Sequence, residues 1–272
     1  MEMEHRSQKA HHVVGFFIAL LALTPVGAAE LTFQVRHDRP LNDHARVFKK
    51  KVSEGVLTIN GQGIGYQQVL PENKRKKASK KPPKLESVQF DYQDIQELWI
   101  SPDKLVLVTY KDRKWFLGVD KEFEFLVPKG QTFEAAYTML TDKLDRRFVA
   151  ALADTQGSVL WELPVKLLGT IKGSEGILQV GPDRIVYNTD RARQSRTWRY
   201  QDIENVSTSD RYQLTLTTYE RAKTHYGSMK GFNFQLKRPL DEKRFEALWR
   251  RLNQDKGLQF LTSIEERNQT EK

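Results

Sequence analysis

The apolar positions of this chain fall mainly on a two-residue period, the period of a strand with one buried face. Leu31, Phe33 and Val35 alternate with Thr32, Gln34 and Arg36, and residues 37–44 turn polar around Pro40, which predicts a loop. Residues 56–59 predict a strand, Gly61, Gly63 and Gly65 a tight turn, and Ile64, Tyr66 and Val69 the returning strand. Val88, Phe90 and Tyr92, then residues 95–100, 105–110, 115–117 and 123–127, predict further short strands, with a turn over 111–114. The period then changes: Phe133, Ala136, Tyr137, Leu140, Leu144 and Phe148 recur at helical spacing behind Thr132 as N-cap.

After a polar connection at 154–158 the same order is read again. Residues 163–171, 176–180 and 185–188 predict strands, with Gly181-Pro182-Asp183 as a hairpin turn. Trp198 and Tyr200 stand where Phe90 and Tyr92 stood, and strands over 203–206, 212–218 and 232–236 follow. Asp241 is placed as N-cap of a second helix, with Leu240 and Phe245 as a hydrophobic staple. Its buried face is expected to be Phe245, Leu248, Trp249 and Leu252. Tyr-Gln-Asp-Ile occurs at 92–95 and again at 200–203, an offset of 108, whereas Glu54-Gly55 and Glu175-Gly176 differ by 121. One insertion, the lysine-rich stretch of the first copy, accounts for the mismatch. A repeat this long suits a duplicated small domain rather than a solenoid.

The aromatic-x-Tyr-x-Asp-Ile segment, the glycine hairpin before it and the closing helix resemble pleckstrin-homology-like domains, including GRAM and bacterial variants. The resemblance covers about 30–150 and 160–255. It implies a mainly β fold with one closing helix per repeat: two tandem seven-stranded, strongly bent sheets or partly open barrels, each capped by a C-terminal α-helix. It also implies binding and scaffolding modules, many of which engage phosphoinositides or protein partners. In such domains the phosphoinositide contacts come from the loop between the first two strands. Here that loop is residues 37–51, with Arg46, Lys49, Lys50 and Lys51, and residues 172–175, with Lys172 alone.

The first residues of the chain change the compartment. Arg6 and Lys9 precede an apolar run over 13–23, followed by Gly27-Ala28-Ala29, the pattern of a secretory signal peptide. The run is short for a bilayer span, which needs about 20 residues; an uncleaved anchor is the alternative. The expected organisation is signal 1–29, first domain 30–153, linker 154–158, second domain 159–256 and a polar tail 257–272. With no cysteine in 272 residues, disulfides, thiolate metal sites and thiol catalysis are excluded. Export to a bacterial periplasm or beyond follows, where phosphoinositide is not an expected ligand.

A formal net charge of +9 makes an anionic partner plausible. The candidate anion or partner site is Lys74, Arg75, Lys76, Lys77, Lys80, Lys81 and Lys84 in the first copy, answered by Arg191, Arg193, Arg196 and Arg199 in the second. Specific nucleic-acid recognition is not expected, because no aromatics interleave these cations. The Tyr-x-Asp-Ile segments read as a corner of the fold in which Asp94 and Asp202 accept backbone N–H groups. His37 and His44, with Asp38 and Asp43, do not follow a metal-ligand spacing. Ser101, Ser158 and Ser174 lack the glycines of a nucleophile elbow, so no enzyme, cofactor or metal is expected. The function read from the sequence is a non-enzymatic exported protein that binds a protein partner or an anionic envelope component. The alternatives are a structural assembly or dimerisation element and, behind it, a hydrolase.

Overall fold

The alternating segments are strands because their apolar sides can all be buried on one side of a pleated ladder. The computed structural model describes residues 29–40, 50–69, 85–113, 116–169, 173–222 and 229–256. The first seven strands are β1 (Leu31–Pro40), β2 (Lys50–Ile59), β3 (Gly63–Gln68), β4 (Ser87–Asp91), β5 (Ile95–Ile100), β6 (Lys104–Arg113) and β7 (Phe116–Leu126). Helix α1 (Glu134–Lys143) and a three-residue strand β8 (Phe148–Ala150) follow. The second series is β9 (Trp161–Leu167), β10 (Ser174–Val180), β11 (Arg184–Asn188), β12 (Arg196–Arg199), β13 (Ile203–Ser207), β14 (Gln213–Arg221) and β15 (Met229–Leu236), then α2 (Glu242–Asn253).

The mainly β character stands. The strands join one open sheet of fifteen, in the order β13-β14-β15-β9-β10-β11-β12-β8-β5-β6-β7-β1-β2-β3-β4. Two separate, partly closed sheets were expected; the difference is made by β8. It pairs in parallel with β5 and antiparallel with β12 at Thr197 and Ala150, so it splices one series of strands to the other. On either side of it the order is the same, 5-6-7-1-2-3-4 and 13-14-15-9-10-11-12.

Two apolar clusters lie under the ladder. One gathers Phe33, Leu57, Ile64, Ile95, Leu107, Phe125, Phe133 and Leu140; the other gathers Val165, Leu178, Ile185, Trp198, Leu214, Phe234, Leu248 and Leu252.

Several boundaries differ from the pattern. Residues 37–40 are strand, not loop, because β1 is paired with β2 from Leu31↔Ile59 to Pro40↔Lys50 and also with β7. Ladder bonds compensate for the polar sequence there. The helical period was carried too far at both ends of α1: the N-cap is Phe133, not Thr132, the helix ends at Lys143, and Phe148 belongs to β8. The strand placed at 163–171 starts at Trp161 and ends at Leu167, and those at 115–117 and 123–127 belong to the single strand β7. Asp241 does cap α2, accepting from the Arg244 N–H at 3.3 Å. Trp249 is turned outward at 38% exposure instead of joining the buried face.

Candidate functional site

The repeated Tyr-Gln-Asp is one turn of 3₁₀ helix in each series, Tyr92–Asp94 and Tyr200–Asp202. Each tyrosine reaches back to the β2–β3 or β10–β11 turn: Tyr92 donates to the Asn60 carbonyl at 2.7 Å and Tyr200 to that of Gly181 at 2.6 Å. Burial pushes the Tyr200 hydroxyl up to about 12. Asp202 accepts the Arg199 backbone N–H at 2.9 Å, the corner role expected of it. A second repeated bond was not anticipated: Ser53 Oγ meets Tyr66 Oη at 2.9 Å, and Ser174 Oγ meets Tyr187 Oη at 2.9 Å. The equal spacing of Ser53/Tyr66 and Ser174/Tyr187 was its signal in the sequence.

Of the candidate cations, Lys74, Arg75, Lys76, Lys77, Lys80, Lys81 and Lys84 lie outside the described residues, as do Arg46, Lys49 and Lys172. The four arginines are described, and each has a partner within the chain. Arg191 donates to the Gly173 carbonyl at 2.8 Å. Arg193 forks onto Asp103, with Nε 3.0 Å from Oδ1 and Nη2 on Oδ2. Arg196 is buried; its Nη1 donates to the carbonyls of Arg193 and Ser195, and its guanidinium lies 5.9 Å from the Trp99 ring.

Arg199 makes the most bonds. Nη1 donates to the Thr141 and Leu144 carbonyls at 2.8 and 3.0 Å, and Nη2 to that of Asp145 at 2.7 Å. The Thr141 and Leu144 carbonyls belong to the end of α1, where a helix leaves carbonyls without intrahelical partners and with a partial negative charge; that of Asp145, just beyond, also accepts the Phe148 N–H at 3.0 Å. Its Nε and Nη2 also hold the Asp202 carboxylate at 2.9 and 2.8 Å. Burial pushes the Asp202 carboxyl up, and the Arg199 hydrogen bonds pull it back down.

The arginine segment is therefore the seam between the two series of strands. Thr197 adds to it, donating to the Leu152 carbonyl at 2.9 Å and accepting from the Asp154 N–H at 2.8 Å. Arg221 reaches Asp120 at 3.2 Å. Beside these, Glu220 accepts from the Trp198 indole at 2.9 Å and pairs with Lys230 at 3.0 Å. Burial, reinforced by the nearby Glu220 carboxylate, pushes Glu97 up. Such a network of matched charges positions the elements it joins.

Two of the three candidate serines are hydrogen-bonded within the chain. Ser101 donates to Asp103 at 3.0 Å and Ser174 is bound to Tyr187. His37 is buried, with Nδ1 3.0 Å from the Glu124 carbonyl and its ring packed against those of Tyr66 and Phe125. Among the described residues no three His, Asp or Glu side chains cluster as a metal site, and no helix is long and apolar enough to cross a membrane.

The Arg193–Asp103 pair should make the seam acid-sensitive. The Arg193 hydrogen bond holds the Asp103 carboxyl below its usual value. A carboxylate lowered by folding stabilises above its unfolded pKa, and that stabilisation is lost as pH falls through the folded value. Both side chains are nearly half exposed, so the effect is at most about 1 kcal/mol. In urea titrations, Asp103→Asn should be less stable than wild type near neutrality, and the gap should close as the pH falls below the ordinary aspartate range.

No family model matches the chain, and no curated protein matches it. Among solved structures it is similar to the C-terminal domain of an unknown protein from Leishmania infantum, at 10% identity over 35% of this chain and 84% of that one, with a TM-score of 0.27. It is also similar to the Spt16D Pob3N heterodimer, at 12% identity over 78% of this chain and 98% of that one, with a TM-score of 0.26. At these scores neither neighbour informs the function.

Proposed function

We propose that the chain is an exported, non-enzymatic binding and scaffolding protein built from two tandem pleckstrin-homology-like units, residues 30–153 and 159–256, joined by 154–158. The observation that carries this reading is the strand order 5-6-7-1-2-3-4 followed by a helix, present twice in one chain. Units of this kind offer loops and sheet edges to partners rather than a reaction centre. With Arg191, Arg193, Arg196 and Arg199 engaged inside the molecule, affinity for an anionic envelope component falls to the seven cations of residues 74–84.

Co-sedimentation with phosphatidylglycerol vesicles at low and high salt tests this. Each Lys or Arg near an anionic surface contributes roughly 1 kcal/mol, so neutralising Lys76, Lys77 and Lys80 together should weaken binding about a hundredfold. Raising the salt should release the protein, since the attraction is screened. Absence of binding at low salt would remove the anionic ligand and leave a protein partner.

A further inference from the structure

A recess of about 250 Å³ lies between α2 and the start of β9. Buried Val180 and Leu248 line it, with Leu160 and Trp161 beside them. Leu160 N–H donates to the Val180 carbonyl at 2.8 Å, yet the Leu160 side chain is 52% exposed. The ladder thus holds an apolar surface toward solvent.

The charges around this surface are of one sign. Every charged residue lining the recess is a cation: Lys243, Arg244 and Arg251. Arg251 Nη1 donates to the Pro182 carbonyl at 3.2 Å. Lys243 and Arg244 make no ion pair among the described residues. Asp183, whose carboxylate acts on the Tyr200 hydroxyl at the same recess, pairs with Arg184 at 3.6 Å.

Local helix physics does not favour these two cations. Asp241 caps α2, so Lys243 and Arg244 stand in its first turn. That end of a helix carries partial positive charge and favours carboxylates, whereas cations belong at the other end.

The first series of strands shows the same place without them. Set on their first residues, Glu134 and Glu242, the two helices match buried Leu140 to Leu248 and half-buried Tyr137 to Phe245. Lys243, Arg244 and Ala247 then correspond to Ala135, Ala136 and Met139. Ala136 is fully buried and Met139 packs against the first apolar cluster, whereas Arg244 and Ala247 are exposed. The second unit has given up apolar volume here and gained two charges.

The dimensions and charge define what would fit. Whole small-molecule ligands occupy pockets of roughly 300–1,000 Å³, so this recess suits one large apolar side chain. Cations without carboxylate partners favour acidic groups on either side of that anchor. A bilayer surface meets apolar groups that protrude into it; a concave recess is filled by a side chain. We infer that the recess receives an acidic segment of a partner protein. One leucine or phenylalanine side chain seats against Val180 and Leu248, and flanking carboxylates meet Lys243 and Arg244. None of residues 74–84 takes part, so vesicle binding neither supports nor removes this site.

Fluorescence anisotropy of the full chain with three labelled heptapeptides tests it. They share the frame Asp-Glu-Asp-X-Asp-Glu-Asp, with phenylalanine, leucine or alanine at X. The phenylalanine or leucine peptide should bind about thirtyfold more tightly than the alanine one, the loss expected for a central anchor. Charge attraction elsewhere on the chain is the same for all three. Arg244→Ala/Ala247→Met gives α2 the residues of α1, both of them good helix formers. Its urea midpoint should be unchanged or higher, while affinity for the anchored peptide falls at least about tenfold. Lys243→Glu should also weaken binding and Lys243→Arg should not. No binding by the wild type, or equal binding of the three peptides, would overturn the proposal. So would a double variant that keeps the peptide and loses phosphatidylglycerol vesicles, since the face would then be a membrane contact.

Discussion

Replacing Arg199 by alanine should cost about 3–5 kcal/mol of stability, the range for removing one partner of a buried ion pair. The side chains of Arg199 and Asp202 are only 15% and 11% exposed, so the carboxylate would lose its cation without gaining water. The carbonyls of Thr141, Leu144 and Asp145 would lose a donor at the same time. Arg199→Lys should recover little of this, because an ammonium cannot span three carbonyls and a carboxylate in one plane. The double variant Arg199→Ala/Asp202→Asn should recover part of it, since the stranded charge is then gone.

The pH dependence of this defect has a definite sign. Burial raises the Asp202 carboxyl, and deleting Arg199 removes the opposing effect. A carboxyl whose folded pKa lies above its unfolded value favours the fold below the unfolded pKa and loses that contribution as pH rises through the folded one. Arg199→Ala should therefore be closest to wild type in acid and furthest from it near neutrality. Urea titrations at both pH values measure this. A loss under about 1 kcal/mol at neutrality would show that the seam is solvated and Arg199 dispensable.

Gly176→Ala should destabilise by about 3 kcal/mol, at the upper end of the usual overpacking cost. A Cβ at Gly176 would lie 2.2 Å from the Asn188 carbonyl oxygen and 2.8 Å from the Tyr187 ring. The carbonyl cannot give way, because β10 and β11 are paired at Ile177↔Asn188. The ring is held by its hydroxyl, which donates to the Ser174 carbonyl at 2.8 Å and lies 2.9 Å from the Ser174 hydroxyl. Gly55 is crowded in the same way, by the Gln67 carbonyl at 2.4 Å and Tyr66 at 2.5 Å. Gly231→Ala serves as the control: nothing lies within 4 Å of its added Cβ. The midpoint should move for Gly176→Ala with the denaturant slope unchanged. Equal midpoints for the two variants would show that β10 and β11 can separate to accept a side chain.

These two effects mark different depths of legibility. The Glu-Gly and Tyr-Gln-Asp-Ile repeats were visible as letters, and so was the two-residue period of most strands, because alternation is imposed by a strand's own geometry. The corner role of Asp202 was also readable, since it bonds the N–H of a residue only three positions away. His37 was not readable as a buried residue: its burial depends on β2 and β7 flanking β1, an arrangement made by residues far along the chain.

The duplication, the glycine hairpins and the mainly β composition of the fold were thus written in local pattern, where each residue's preference depends on near neighbours. That the arginines of the second copy face Asp103 and the end of α1, and that β8 makes one sheet of the strands, was settled only by tertiary pairing. A charge in a sequence carries no address. Whether it meets solvent, a ligand or the chain's own carbonyls depends on which distant strand is laid beside it, and here that strand is a three-residue splice that no periodicity announces.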